Sequence, residues 1–258
     1  MKELELYPDR FQTFYGMEKE TYNILLNKLR TRLTKQWTKF SEPISPEERL
    51  LITLRYFASG NSFKALSYYF LRGPTSNRRI VHETSQVIWE LLQPEYMPIP
   101  TTNKWIEVEN RFYDLWNLPN CIGAVDGKHI MIQCPPRSGS AYYNYKGYYS
   151  IVLQGVVDAD SMFICIDIGE LGRNSDGRVL KESSFGNALA HGNLNLPEPS
   201  PLPGEEINFP FYYVGDEAYA LTKNFMKPYT RNQLTNERRM LIIVFHVVAN
   251  QWSVHSEC

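Results

Sequence analysis

Cys121-Ile122-Gly123-Ala124-Val125-Asp126-Gly127-Lys128 is the stretch whose reading decides the fold. An apolar run ends on a carboxylate and a glycine follows, the pattern of a buried strand that stops at Asp126. A carboxylate at the end of a buried strand is held by rigid surroundings yet still meets solvent. Val-Asp-Gly is also an ordinary turn sequence, so the stretch alone does not separate a site from a turn. The pattern recurs 216 − 126 = 90 residues later, where Phe211-Tyr212-Tyr213-Val214-Gly215-Asp216 is a second apolar run ending on a carboxylate. If the two strands are neighbours in one sheet, Asp126 and Asp216 meet.

The 258 residues leave room for one large domain or two smaller ones. With 43% hydrophobic and 21% charged residues, a packed core is expected rather than disorder. A net charge of −1 means that any nucleic-acid surface must be local. Cys121, Cys134, Cys165 and Cys258 form no Cys-x-x-Cys pair. The first three lie in apolar strand-like runs, so reduced, buried thiols are expected. The five histidines show no zinc-ligand spacing. The first eight residues are too polar for a secretory signal, and the longest apolar run, 240–249, falls well short of the ~20 residues a membrane span needs. A soluble, intracellular protein that engages no membrane is the expectation.

Residues 1–98 read as a helical N-terminal region. In 17–33, Tyr22, Leu25, Leu26, Leu29 and Leu33 recur at three- and four-residue steps. Ser45-Pro46-Glu47-Glu48 is a helix start, with a capping serine, a proline in the first turn and two acids at the positive helix end. That helix runs to Gly60. A shorter helix over 61–70, a turn at Arg72-Gly73-Pro74-Thr75 and a helix over 76–92 follow. The segment of about 47–92 has the outline of a helix-turn-helix, and Asn77, Arg78 and Arg79 open its last helix, where such side chains read base edges. A plain three-helix bundle has the same outline. Three prolines within 93–102 mark the boundary to a second domain, 99–258.

Beyond the boundary, Trp105, Val108, Phe112, Leu115 and Trp116 mark the inward face of one more helix, and the texture then changes to strands. The strands are the one at Asp126 with its continuation over 130–134, 150–158, and 162–168. Asp158-Ala159-Asp160-Ser161 is a tight turn between the last two. A helix around Asp176, a loop over 191–210 and the strand ending at Asp216 come next. Three consecutive strands, a helix, a strand and a helix is the order of an α/β, ribonuclease H-like domain, a mixed sheet flanked by helices. In it the first and fourth strands are adjacent. Carboxylates converging at strand ends without histidine or cysteine form an oxygen-ligand site suited to Mg²⁺ or Mn²⁺. Two such ions support phosphodiester cleavage. Lys128, close behind Asp126, and Lys146 in Tyr145-Lys146-Gly147 are candidate phosphate contacts, against solvated lysines as the plain alternative.

Four motifs carry a family resemblance: Gly123-Ala124-Val125-Asp126-Gly127, Tyr143-Asn144-Tyr145-Lys146-Gly147-Tyr148, Gly172-Arg173-Asn174-Ser175-Asp176 and Gly215-Asp216-Glu217-Ala218-Tyr219. With the helical stretch 50–60 and Phe63 upstream, their shared order resembles the Harbinger-type transposases and the Harbinger transposase-derived nucleases, which carry a DDE superfamily endonuclease domain. The resemblance implies a metal-dependent nuclease acting on DNA, with Asp126 and Asp216 as the first two catalytic and metal-binding acids and Asp176 as an accessory acid. It also implies a Myb-like partner protein assisting DNA binding and nuclear entry, hence a nuclear and cytoplasmic location. The family's third acid is a glutamate in a C-terminal helix. Matching Phe245, Asn250 and Trp252 to that pattern puts Ile242 at the glutamate position. Two alternatives to a working enzyme therefore stand: a non-catalytic DNA- or partner-binding protein, and a decayed transposon copy.

Overall fold

The computed structural model describes residues 7–36 and 43–228. The chain divides into two compact units between Tyr96 and Met97. In the first unit, α1 (Pro8–Tyr15), α2 (Lys19–Leu33), α3 (Pro46–Ser59), α4 (Phe63–Phe70) and α5 (Pro74–Tyr96) enclose a core that includes Leu29, Leu33, Leu50, Ile52, Leu66 and Ile80. The helix boundaries follow local chemistry. Ser45 accepts from the Glu48 N–H at 3.2 Å and Pro46 occupies the first turn of α3, which ends where Gly60 takes φ 60. Ser62 caps α4 by accepting from the Ala65 N–H at 3.2 Å. Arg49, buried in α3, is paired with Glu83 of α5.

Two expectations for this unit need correction. The interval 93–102 is not irregular throughout, because α5 continues to Tyr96 with Pro94 inside it. That proline lies in the last turn and has no N–H to give the Glu90 carbonyl, so a single backbone bond is lost just before the helix ends. The second correction concerns Asn77, which is fully buried and therefore not positioned to read bases. Its Nδ2 donates to the Arg72 carbonyl at 3.3 Å, fastening the start of α5 to the turn behind it. Arg78 and Arg79 are exposed, and Arg79 lies 4.0 Å from Glu83.

The second unit opens with α6 (Thr102–Trp116), whose Trp105, Val108 and Phe112 are buried as expected while Leu115 is exposed on its last turn. The main strands are β1 (Cys121–Met131), β2 (Ser150–Val157) and β3 (Phe163–Leu171), followed by α7 (Asp176–Glu182) and α8 (Ser184–Ala190). A small hairpin of β4 (Ser200–Pro201) and β5 (Asn208–Phe209) precedes β6 (Tyr212–Gly215) and β7 (Phe225–Met226). The five-stranded sheet has the order β3-β2-β1-β6-β7. β1 is antiparallel to β2 and parallel to β6. This mixed sheet flanked by helices is the ribonuclease H-like arrangement, with the first long strand beside the one that leads to Asp216. One face buries Ala124, Val157 and Val214 against Val108 and Phe112 of α6. The other buries Ile122, Val125, Tyr213, Tyr219 and Phe225, with Leu180 of α7 and Leu189 of α8 packed on them.

The strands differ from expectation in four places. β1 does not stop at Asp126 but runs five residues further as one strand, because β2 pairs with it as far as Met131. β3 extends to Leu171 rather than ending near 168. β7 adds a fifth strand. Cys134 is exposed just past β1, whereas Cys121 is buried. The helix expected around 241–252, with Ile242, lies outside the described residues.

Replacing Asn77 by Ala tests the reassignment of that side chain. Urea denaturation should show a loss of about 1–2 kcal/mol, the range for removing a buried hydrogen-bonded amide. A base-reading side chain at the surface would leave the midpoint unchanged.

Candidate functional site

The pairing of β1 with β6 sets the site. Ala124 lies beside Val214 and Val125 beside Gly215, so Asp126 and Asp216 are the next residues along two adjacent parallel strands. Side chains alternate along a strand, so both acids follow Ala124 and Val214 onto the same face. β6 ends at Gly215 and the chain turns at once. The Asp216 carboxylate accepts from the Ala218 N–H at 2.9 Å, and Oδ1 of Asp126 accepts from the Gly127 N–H at 2.8 Å. Past Val125, among the described residues, β1 has no partner on that flank. An opening follows in which both acids are only partly covered.

Asp176 reaches the same opening from the other face. It is the first residue of α7, and its carboxylate occupies the space where residue 127 would carry a side chain. A Cβ there would stand 2.4 Å from Oδ1 and 2.8 Å from Cγ of Asp176. Gly177 does the same for the turn after Asp216, since its missing Cβ would come within 2.7 Å of the Ala218 carbonyl oxygen. Gln154, buried on β2 opposite Gly127, ties both sides together. Its Nε2 donates to the Asp176 carbonyl at 3.3 Å and to the Tyr219 hydroxyl at 3.2 Å.

The charges are poorly compensated. Burial first, then the carboxylates of Asp216 and Asp176, push Asp126 up to about 6, against the Gly127 N–H and Lys146. Burial and Asp216 push Asp176 up to about 6 as well, again opposed by Lys146. Lys146 is thus the cation that faces the acids, and it sits on a loop built by Asn144. The Asn144 Oδ1 accepts from the N–H groups of Lys146 (3.0 Å) and Tyr148 (3.2 Å), while its Nδ2 donates to Ser150 Oγ at 2.8 Å. Lys128 stands on β1 opposite Leu153, two residues past Asp126 and on the same face. The structure therefore assembles Asp126, Asp216, Asp176 and Lys146. Asn77, Arg78 and Arg79 belong to the first unit.

An all-oxygen, mutually repelling set of acids fits a hard divalent cation. Among the described residues no three acidic, histidine or cysteine groups are gathered closely enough to chelate one ion. The donors fit in kind, and the described residues leave the cage incomplete.

Residues 125–241 match the family model described as the DDE superfamily endonuclease. That segment of the second unit is therefore similar to DDE superfamily endonuclease domains. Relatives extend the likeness into the first unit. The ALP1-like protein of Arabidopsis thaliana is 26% identical over 86% of this chain and 55% of its own length. The protein named antagonist of like heterochromatin protein 1, also of Arabidopsis thaliana, is 25% identical over 85% of this chain and 56% of its own. HARBI1 of Rattus norvegicus, which its name presents as a candidate nuclease, is 26% identical over 76% of this chain and 55% of its own. The chain spans about half the length of these curated relatives. No solved structure matches it. The resemblance to Harbinger transposase-derived nucleases thus holds.

Of four further residues of this unit, Gly127 and Tyr219 were read from sequence only as members of motifs, and Gln154 and Gly177 not at all. Two of them sit directly behind aspartates, in Asp126-Gly127 and Asp176-Gly177. That repeated pair was the available signal, because glycine lets another group approach the backbone closely. Gln154 inside a buried strand was the other.

The raised carboxyls make stability depend on pH. Each holds its proton more tightly in the folded state than at its ordinary value of 3.8, so folding is favoured below that value and the benefit is lost as pH rises through about 6. Asp126→Asn and Asp176→Asn should each raise stability by about 1–2 kcal/mol near neutral pH, after allowance for solvent screening. In metal-free denaturation the gain should disappear below about pH 4, where the wild-type acids are themselves neutral. A pH-independent gain would contradict the electrostatic account.

Proposed function

We propose that the second unit is a divalent-metal-dependent endonuclease of transposase descent, acting on DNA phosphodiester bonds, whose activity in this chain is strongly reduced. The supporting observation is the convergence of Asp126 and Asp216 from adjacent parallel strands, with Asp176 entering from the opposite face and Lys146 as the opposing cation. In this reading Asp126 and Asp216 hold Mg²⁺ or Mn²⁺ and Asp176 adds a third negative charge. When bound, two such ions activate a water or 3′-hydroxyl and stabilise the leaving oxygen.

The chain's own residues have defined parts in this scheme. Asp126 and Asp176 would face a bound cation as carboxylates, and the cation's charge would relieve the repulsion that raises them to about 6. Lys146 contacts a non-bridging phosphate oxygen as a point charge, and Lys128 serves the backbone further along β1. Gln154 keeps α7 and the turn after Asp216 from separating. Reduced activity follows from Ile242 at the position of the family's glutamate, since an aliphatic side chain supplies no oxygen donor. In the same reading Arg78 and Arg79 of the first unit contact DNA phosphates, and a Myb-like partner brings the protein to its DNA in the nucleus. A non-catalytic DNA- or partner-binding protein remains the competing reading, and Ile242 is what favours it.

Mn²⁺ titration followed by thermal denaturation, with plasmid cleavage assayed in parallel, tests the proposal. Mn²⁺ should raise the melting temperature of the wild type but not of Asp126→Ala or Asp216→Ala. Cleavage should be weak and should rise at least about tenfold in Ile242→Glu, the order of effect seen when a metal site regains a missing partner. No Mn²⁺ response would dismiss the metal site. Robust Mg²⁺-dependent cleavage by the wild type, abolished in Asp126→Ala, would dismiss the loss of activity.

A further inference from the structure

The loop over 143–149 carries a feature that acid and phosphate chemistry leaves unexplained. Tyr145, at its tip, is 82% exposed. Its ring is nevertheless confined. It meets the His129 ring edge-to-face with centroids 5.6 Å apart, and the Lys146 ammonium lies 5.6 Å from its centroid. The loop beneath it is closed by the Asn144 N–H donating to the Tyr148 carbonyl at 2.9 Å and the Gly147 N–H donating to the Asn144 carbonyl at 3.1 Å. Gly147 turns the chain at φ 88, a conformation that costs glycine nothing. Asn144, buried, fastens the loop to Ser150, and Ser150 Oγ lies 2.9 Å from Nδ1 of His129. Burial and Lys146 hold His129 below its usual value, so its ring is neutral and the positive charge at the tip belongs to Lys146.

We infer that Tyr145 is a stacking platform for an unpaired nucleobase, so that the site takes DNA with a flipped, frayed or overhanging nucleotide close to the reacting phosphate. This deepens the proposed nuclease function and rests on it. A preorganised ring loses little freedom when a base settles on it, and every base offers a π-face. Bases inside a duplex are already stacked on one another, so the ring selects a base that is out of the helix. Position supports the choice. His129 lies three residues past Asp126 on β1, ~10 Å at the rise of a strand and on the face from which Asp176 enters, a distance that spans only a few nucleotides. Lys146 interacts with both Asp126 and Asp176, so base platform, phosphate contact and acids lie within one short length of a DNA strand.

Binding measured in EDTA, where no cleavage can occur, separates the two claims. The probes are a blunt oligonucleotide duplex and the same duplex with a short single-stranded overhang bearing a fluorescent purine analogue. The wild type should prefer the overhang and change the fluorescence of the analogue. Tyr145→Ala should weaken overhang binding roughly 5- to 150-fold, the range for losing one base stack, and should leave blunt-duplex binding unchanged. Tyr145→Phe should keep the preference. Since the side chain is on the surface, none of these changes endangers folding. Equal overhang affinity in wild type and Tyr145→Ala, or no preference for the overhang, would overturn the platform while leaving a DNA-acting site in place. Failure of the wild type to bind either probe would also overturn the platform, whereas the nuclease reading stands or falls on the Mn²⁺ response of Asp126 and Asp216.

Discussion

The parallel contact between β1 and β6 is the constraint on which the site depends. Parallel neighbours cannot be joined by a hairpin, so the chain must make a long connection before the contact can form. β2, β3, α7 and α8 are part of that connection. The register of the return matters to a single residue, because a slip of one would send Asp216 to the face opposite Asp126. Several side chains hold it. Val214 faces the same core as Ala124, while Tyr213 projects into the other, where its ring meets Trp105 at 5.8 Å and Phe185 at 5.1 Å. Gly123 leaves room for that ring, since a Cβ there would come within 2.9 Å of it. An aromatic anchor three residues before Asp216 thus helps to fix where that carboxylate appears.

Around that contact the sheet is asymmetric in a useful way. At Ala124 and Val125, β1 is paired on both flanks and buried, and from Asp126 onward, among the described residues, one flank is open. Acids from opposite faces can meet only at such an interruption, since an unbroken sheet would separate them. Their meeting is electrostatically unfavourable. The arrangement persists because buried contacts elsewhere outweigh it, among them the Gln154 amide and the close approach of Gly177 to the turn after Asp216. Structure and site therefore pull in opposite directions here, and a bound cation would reconcile them.

Much of this was legible in the order of residues. Apolar runs ending in carboxylates marked Asp126 and Asp216, strand order placed them side by side, and serine-proline and glycine punctuation located α3 closely. What escaped had physical reasons. The continuation of β1 past Gly127 is decided by pairing with β2, a long-range contact that a local turn signal contradicts. Asn77 had a polar identity suited to a surface, and only packing against the Arg72 turn buries it. α5 ran through Pro94 because the proline withdraws a single backbone bond, to the Glu90 carbonyl, and the helix ends two residues later. Asp176 could be named from a motif, but its seat over Gly127 required the third dimension.

Gly127 also bears on how such a domain changes over time. The volume that a side chain would occupy at 127 belongs to Asp176, so two positions 49 residues apart share one parcel of space (176 − 127 = 49). Neither can drift independently. A larger residue at 127 would evict the acid from its seat without altering any carboxylate, and a smaller residue at 176 would free 127 to vary. Glycine and aspartate here amount to a single inherited unit written in two places, and the order in which they are lost would date the loss of the site.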